Sequence, residues 1–490
     1  MDTLLDNIDL KRKADSYIIS ELKGKAINVK DVLIELFLPH NDSEEILLIC
    51  KPNQLQYIEI IKEHEFNIKA YDEFSDGSIN NNYYIKRAFR KKSHQTFYTS
   101  KLGDATIILQ AYDLMIVCER DNTQWDGKTE GYFTIFNRFQ LPPLKSLTRK
   151  PSGEVIVDPR DKYTFELESG LKLTFDIYYK YEDTEDYTKS YPYTVAEFKT
   201  NIEPERINEI IIEIDDLLRL VSLALEKVCV CTGWVAYSNN KRVTFYRRDR
   251  VIPHKNEDDN YYDLIIEPFE VTSFIECAYK AFTKFNDKEL LRNILTPLVR
   301  KKKLSVETHY LILFAILESV VLNHKKLRRF EPILTRNLFN ELKKDLENSI
   351  NSKKEFLRSK LDSNDEGIEQ KIKFMCEKLS ELNRISFNSS FELFQKQFNI
   401  PINDLWPLYD AKEGPTLKQI RDKIIHGVTF SNHQFQAISF ALHHLKFIVE
   451  RIVFTLLGWD ISNSRLSLEY IQQSYSKLLE EVKYYQKLFT

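Results

Sequence analysis

Residues 414–429 read Gly-Pro-Thr-Leu-Lys-Gln-Ile-Arg-Asp-Lys-Ile-Ile-His-Gly-Val-Thr, and this stretch predicts a helix. Pro415 and Thr416 suit the first turn, because a proline there gives up no backbone hydrogen bond. Apolar residues recur every three or four positions and so form one stripe along a helix: Leu417, Ile420, Ile424 and Val428. We therefore predict an amphipathic helix over residues 414–428 that packs through this stripe.

Three polar residues of this helix form a candidate site. At about 100° per residue, Arg421 lies at the edge of the apolar stripe and His426 lies on the opposite face, four positions after Asp422. A neighbouring carboxylate can fix the tautomer of an imidazole, and an arginine can grip a phosphate with two parallel hydrogen bonds. Gly427 would allow a substrate to approach closely. On spacing alone, a solvated helix face is the commoner interpretation of such residues.

The motif Arg421-Asp422-(three residues)-His426 resembles the arginine-(four to six residues)-histidine signature of HEPN domains, the higher eukaryotes and prokaryotes nucleotide-binding family. The helical character of the last 200 or so residues is similar to that family as well. A long β-rich region ahead of such a domain resembles the ApeA-like anti-phage proteins. The resemblance implies a metal-independent endoribonuclease without a cofactor, in which Arg421, Asp422 and His426 are the catalytic residues.

The resemblance also implies partners and a biological role. HEPN nucleases are generally homodimers whose two motifs meet at the interface, and they use the ribose 2′-OH to attack the adjacent phosphate. ApeA-like proteins act in abortive infection, which predicts RNA as substrate, with transfer RNA as one candidate, and an unidentified phage-derived trigger. The alternative is a non-catalytic HEPN-like module that binds RNA, a nucleotide or a protein, because many HEPN relatives have such roles.

Length and composition bound these expectations. A chain of 490 residues with 43% hydrophobic content predicts two or three globular domains. A net charge of −3 gives no overall attraction to nucleic acid, so an RNA site would have to be a local basic patch. The acidic N-terminal residues, the absence of a run of about 18 apolar residues and the unevenly spaced cysteines predict a reduced cytoplasmic protein without a membrane span.

We predict an α+β multidomain protein. Residues 1–287 form a β-rich sensor or regulatory region with a polar, partly helical lead-in over residues 1–30, a hairpin over 163–177, a long helix over 204–228 and strands over 233–237 and 243–247. A break near residue 200 would divide this region into two subdomains. Residues 288–490 form an all-α HEPN-like domain, with helices near 288–300, 305–325, 332–349, 367–384, 414–428, 434–458 and 464–487.

Glu318 is the second residue of interest in the helical region. Phe314, Leu317 and Val321 flank it on the helix surface, which predicts that its carboxylate points into an apolar stripe and needs a partner. Arg421 is the partner we predict, and the pair would hold the arginine in place without taking part in the chemistry. The alternative is a salt bridge between Glu318 and another residue of the helical region.

Basic runs flank the helix that carries Glu318. They are candidate RNA-binding residues, because phosphate backbones require local positive charge, and they comprise Arg300, Lys301, Lys302, Lys303, Lys325, Lys326, Arg328 and Arg329. For any single run, a solvated helix end is the commoner explanation.

Cys229 and Cys231 form the one cysteine pair at short spacing. On a strand they would share a face and offer two ligands to zinc, although a structural zinc site needs four. Buried packing is the better interpretation of these thiols.

Overall fold

The computed structural model describes residues 16–38, 45–73, 79–98, 101–119, 124–136, 139, 146–149, 155–158, 164–183, 188–248, 265–267, 269–299, 304–328, 332–360, 367–410, 414–474 and 480–489. The chain divides into two compact units, Met1–Tyr279 and Lys280–Thr490. The predicted boundary between residues 287 and 288 falls shortly after this division.

The first unit is built on β-strands. Its first seven strands are β1 Ser16–Lys23, β2 Asn28–Phe37, β3 Ile46–Lys51, β4 Glu65–Glu73, β5 Ile79–Tyr98, β6 Lys101–Ala111 and β7 Asp113–Glu119, with helix α1 Gln54–Ile60 after β3. Eight more follow: β8 Thr129–Phe136, β9 Ser146–Arg149, β10 Val155–Asp158, β11 Thr164–Glu166, β12 Lys172–Asp183, β13 Thr188–Thr200, β14 Val230–Tyr237 and β15 Lys241–Arg247.

Six of these strands close into a barrel. The main sheet has the order β11-β12-β13-β8-β14-β15-β7-β5-β4-β1-β2-β3-β6, and an additional pairing of β5 with β6 closes the last six strands. The long strand β5 pairs through residues 81–84 with β7 and through residues 88–98 with β6. Alternating apolar residues such as Val32, Ile34 and Leu36 of β2 fill the barrel core, as period-two patterning requires.

Seven further strands extend the sheet away from the barrel, while β9 and β10 pair with each other in a separate two-stranded sheet. A 3₁₀ helix, Pro204–Ile210, and helix α2, Ile211–Leu225, pack against the main sheet. Trp234 Nε1 donates to Asn208 Oδ1 at 2.8 Å, and the buried Arg247 guanidinium donates to both oxygens of Asp215 at 2.9 Å. Strand β14 pairs with β8, and β15 pairs with β7. Strands from before and after residue 200 of the chain therefore belong to the same sheet.

The second unit is helical. Helix α3, Val271–Lys284, contains the division between the units, and the following helices are α4 Lys288–Val299, α5 Val306–Leu327, α6 Arg336–Ser352, α7 Lys354–Lys360, α8 Ile368–Lys378, α9 Phe387–Phe398, α10 Leu417–Ile425, α11 Asn432–Leu456, α12 Leu468–Ser474 and α13 Val482–Lys487. Helix α5 packs against α4, α9, α10 and α11, so it lies at the centre of this unit.

The mixed α/β architecture, with β-rich and helical parts in the predicted order, is confirmed. The hairpin is present as β11 and β12, although Tyr163 lies outside the described residues. Within the polar lead-in predicted over residues 1–30, residues 16–23 form a strand, and residues 1–15 lie outside the described residues. The first turns of the predicted helix over 204–228 are 3₁₀. The sequence interpretation missed helices α1, α3, α7 and α9. Helix α9 had a clear signal, since Phe387, Phe391, Phe394 and Phe398 recur at helical spacing.

Helix α5 bears on the predicted absence of a membrane span. Among the described helices it has the length and hydropathy to cross a membrane, by composition alone. A core helix of a folded protein passes the same test, and eight of the 22 residues of α5 are buried within the unit.

Candidate functional site

Helix α10 presents the predicted motif, and both its start and its packing are well defined. Thr416 is the N-cap and forms a capping box with Gln419, in which each side chain accepts from the other residue's backbone N–H. Leu417 and Ile420 are fully buried, as the apolar stripe predicts, and Ile424 is half-buried. The prediction is wrong for Val428, which is 46% exposed and lies beyond the end of the helix. Tyr310 of α5 donates its hydroxyl to the Leu417 carbonyl at 2.8 Å, which fixes α10 against α5.

The end of α10 comes earlier than predicted, and its geometry places His426. The N–H of Gly427 donates to the Ile424 carbonyl and that of Val428 donates to the Lys423 carbonyl, both at 3.1 Å. This pattern is a Schellman motif, which requires a left-handed residue after the C-cap, and Gly427 has φ +68°. His426 is therefore the C-cap and not a residue of the helix interior.

The role of Gly427 follows from the same geometry. A Cβ added at Gly427 would meet nothing within 4 Å, so space is not what selects glycine within the protomer. The left-handed backbone conformation is sufficient reason, because residues with a Cβ are strained there. The predicted close approach of a substrate to this glycine stays a prediction.

Arg421 is held by two carboxylates. Its Nη2 donates to both Glu318 oxygens at 3.0 and 3.2 Å, and its Nη1 donates to Asp422 Oδ1 at 2.8 Å. The guanidinium carbon lies 5.5 Å from the ring centre of Phe314. Partial burial acts to lower the pKa of Arg421, but the hydrogen bond to Asp422 and the charge of Glu318 outweigh it and raise the pKa. The side chain is a fixed, permanent cation that remains 27% exposed.

The pairing of Glu318 with Arg421 was predicted and is present. The predicted burial of Glu318 is wrong, since its side chain is 40% exposed. Phe314, Leu317 and Val321 are buried, but Glu318 lies beside their stripe and faces α10. Its carboxylate is therefore partly hydrated, and the pair does not carry the desolvation cost of a buried ion pair.

His426 lies on the exposed surface beside a cavity of about 450 Å³. The cavity is lined by Gly414, Pro415, Gln419, Asp422, Lys423, His426, Val428 and Phe489. Within the described part of the chain the imidazole has no hydrogen-bond partner. Asp422, which we predicted to orient it, instead accepts a hydrogen bond from Arg421.

The sequence interpretation missed three residues of this cavity, which are Gln419, Lys423 and Phe489. Gln419, Lys423 and His426 are spaced four and three positions apart, so one helix face carries all three. That spacing was a usable signal. Phe489 had none, since only the tertiary structure brings it to α10.

The candidate RNA-binding residues are described in part. Arg300, Lys301, Lys302, Lys303 and Arg329 lie outside the described residues. Lys325 donates its ammonium to the Ile385 carbonyl at 2.8 Å, so it holds the chain ahead of α9. Lys326 and Arg328 are exposed. The predicted basic patch stays a prediction.

Cys229 and Cys231 are buried in the first unit. Burial raises the pKa of the Cys229 thiol to about 12, and the Cys231 thiol donates to the Gly233 carbonyl. Among the described residues, no group of three or more histidine, cysteine, aspartate or glutamate side chains is arranged to hold a metal ion.

The motif thus combines a cation fixed by two carboxylates with a solvent-accessible imidazole on one short helix. Comparisons with protein-family models, with curated proteins and with solved structures give no match for this chain. The geometry and chemistry of the site are therefore what a functional proposal can rest on.

Proposed function

We propose that the protein is a metal-independent endoribonuclease of the HEPN type that acts in the cytoplasm in anti-phage defence. The observation that carries the proposal is that one short segment presents both a rigid, partly exposed Arg421 and, five positions later, an exposed His426. An immobilised cation and a titratable imidazole are the two groups that cleavage by 2′-OH attack requires.

Each residue of the motif has a role in this chemistry. His426 moves a proton to or from the reacting oxygens, a role that histidine takes more often than any other side chain. Arg421 stabilises the charge that builds on the phosphate oxygens, while Glu318 and Asp422 hold its guanidinium in place. The products are a 2′,3′-cyclic phosphate or 3′-phosphate and a 5′-hydroxyl. The enzyme is specific for RNA because the nucleophile is the 2′-OH.

A second copy of the chain completes the site in this proposal. Arg421 and His426 project about 140° apart around α10, so one helix cannot place both around one phosphodiester. Ile425 and Val428, which flank His426, are 51% and 46% exposed and are apolar. A symmetric partner would cover these side chains and bring its own motif to the interface. The β-rich unit would sense the phage-derived trigger or restrain the nuclease.

A His426→Ala variant tests the proposal. We expect it to lose cleavage of total cellular RNA by at least about 10²-fold, the usual contribution of a general acid or base, while it folds normally. His433→Ala is the matched control, because His433 is an exposed histidine on the next helix that does not line the cavity. Cleavage should persist in EDTA. A His426→Ala protein that still cuts RNA, or cleavage that requires added Mg²⁺, would overturn the proposal.

One observation favours the alternative, a binding module without catalysis. In the protomer, two carboxylates neutralise Arg421, and Asp422 is engaged by the arginine and not by His426. Such a site can hold RNA, a nucleotide or a protein without cutting. Filter-binding measurements with the same variants distinguish the two functions: a module binds RNA without cleaving it, whereas the nuclease yields 5′-hydroxyl ends.

A further inference from the structure

The cavity beside His426 has two chemically different ends. Pro415, Val428 and Phe489 supply an apolar part, whereas Lys423 supplies an ammonium and His426 an imidazole. Asp422 also lines it, and its carboxylate accepts from Arg421, which offsets its charge. Lys423 therefore presents a cation to a ligand in this cavity. A volume of about 450 Å³ lies within the range of about 300–1,000 Å³ that small-molecule sites occupy.

The two walls of the cavity are held rigidly. Phe489 is almost fully buried and makes edge-to-face contacts with Trp406 and Phe430, each with ring centres 6.4 Å apart. Lys423 Nζ lies 5.5 Å from the ring centre of Phe489, which keeps the ammonium at the cavity. A Cβ added at Gly414 would come within 2.6 Å of the Gln486 side chain, so α13 packs tightly on the residues that precede α10.

A ligand that fits these walls has a flat, largely apolar part and an anionic group. A ribonucleotide unit has this character, since its base can lie against an aromatic side chain while its phosphate meets cations. Lys423 and His426 line the same cavity, so the phosphate of such a ligand would lie next to the catalytic imidazole. Gln419 lies on the same helix face; its Oε1 accepts from Thr416 in the capping box, and its Nε2 can donate to a base edge.

We propose that this cavity is a nucleotide subsite that selects the base next to the cleaved linkage, with Phe489 against the base and Lys423 on the phosphate. The inference rests on the proposed ribonuclease function and goes beyond it, because it gives the enzyme a base preference set within one protomer. Lys423 and Phe489 are positioning residues here, and neither transfers a proton.

The test uses the full-length protein and Lys423→Gln and Phe489→Leu variants. Lys418→Gln and Phe430→Leu are matched controls, because Lys418 lies on another face of α10 and Phe430 contacts Phe489 without lining the cavity. Sequencing of the 5′-hydroxyl ends from a randomised RNA should show a base preference for the wild type and both controls. The two cavity variants should lose that preference and cut at least about 10-fold more slowly. Unchanged profiles in both would overturn the subsite.

Binding of the four nucleoside 3′-monophosphates, measured by calorimetry, separates this inference from the function on which it rests. If the wild type cuts no RNA, the ribonuclease proposal fails. Nucleotide binding that is weakened in both cavity variants and kept in both controls would still support the subsite. Binding that is absent from the wild type, or equal in all the proteins, would overturn it.

Discussion

Two arginines of the helical unit form ion pairs in different surroundings: Arg451 with one carboxylate and Arg421 with two. Arg451 is 1% exposed and donates to both Asp404 oxygens and to the carbonyls of Pro401 and Leu466. Arg421 is 27% exposed, and its carboxylate partners are more exposed still. The guanidinium of Arg451 donates its hydrogen bonds to buried groups of the protein. The guanidinium of Arg421 remains partly accessible to solvent.

This difference separates a structural pair from a site that can bind a ligand. Removing one partner of a buried pair leaves an uncompensated charge, whereas exposed partners are rehydrated when a pair is broken. The sequence offers no such distinction, because both arginines lie on helices among apolar residues. We therefore expect a substitution of Arg451 to lower mainly the stability and a substitution of Arg421 to lower mainly the activity.

The largest effect is expected at the buried pair. Arg451→Ala should lower the free energy of unfolding by about 3–5 kcal/mol, because Asp404 and two carbonyls lose their donor. Urea denaturation followed by circular dichroism measures this change. Arg384→Ala is the control, since Arg384 is exposed, and it should stay within about 0.5 kcal/mol of the wild type. A loss below about 1 kcal/mol for Arg451→Ala would contradict the claim that Arg451 stabilises the fold more than Arg421 does.

The exposed pair should show the reverse. Arg421→Ala is expected to change the free energy of unfolding by no more than about 1 kcal/mol, because Glu318 and Asp422 are hydrated when released. The proposed RNA cleavage should fall by about 10²–10³-fold with the loss of the phosphate-stabilising cation. The same denaturation series and a cleavage time course measure both quantities. Strong destabilisation with little loss of activity would make Arg421 a structural residue.

The smallest effect is expected at the cap that positions His426. Gly427→Ala should cost about 1 kcal/mol of stability, because alanine is strained at positive φ. Gly170→Ala is the matched control. Gly170 lies in the first unit and has φ +78°, and a Cβ added there would meet nothing within 4 Å. Both variants should lower the unfolding midpoint, and only Gly427→Ala should slow RNA cleavage. Equal activity of the two variants would show that the cap at Gly427 does not position His426 for cleavage.

The sequence was sufficient for much of the motif helix. The spacing of Leu417 and Ile420 predicted its buried face. The pairing was predicted because Glu318 needed a partner and Arg421 lies at the edge of its own stripe. The end of the helix was misplaced although Gly427 gave the usual signal of a glycine after the last helical turn. Burial of Glu318 was misjudged, because periodicity gives the side of a helix but not the neighbour that packs there.

What remained hidden was set by contacts distant in sequence. Phe489 reaches α10 only through the packing of α13, which no local pattern encodes. The barrel depends on the pairing of β3 with β6 and on that of β1 with β4, each of which joins strands that are separated by two others along the chain. Local alternation predicts that such strands exist and which face is buried, but it does not select their partners.

The strand β5 has a mechanical consequence for the first unit. It belongs to the closed barrel through β4 and β6 and to the open part of the sheet through β7. Because one continuous backbone serves both parts, they cannot swing relative to each other unless a ladder of interstrand hydrogen bonds breaks. No hinge separates them at this strand. A change of shape within this unit would therefore have to occur away from the strand that the two parts share.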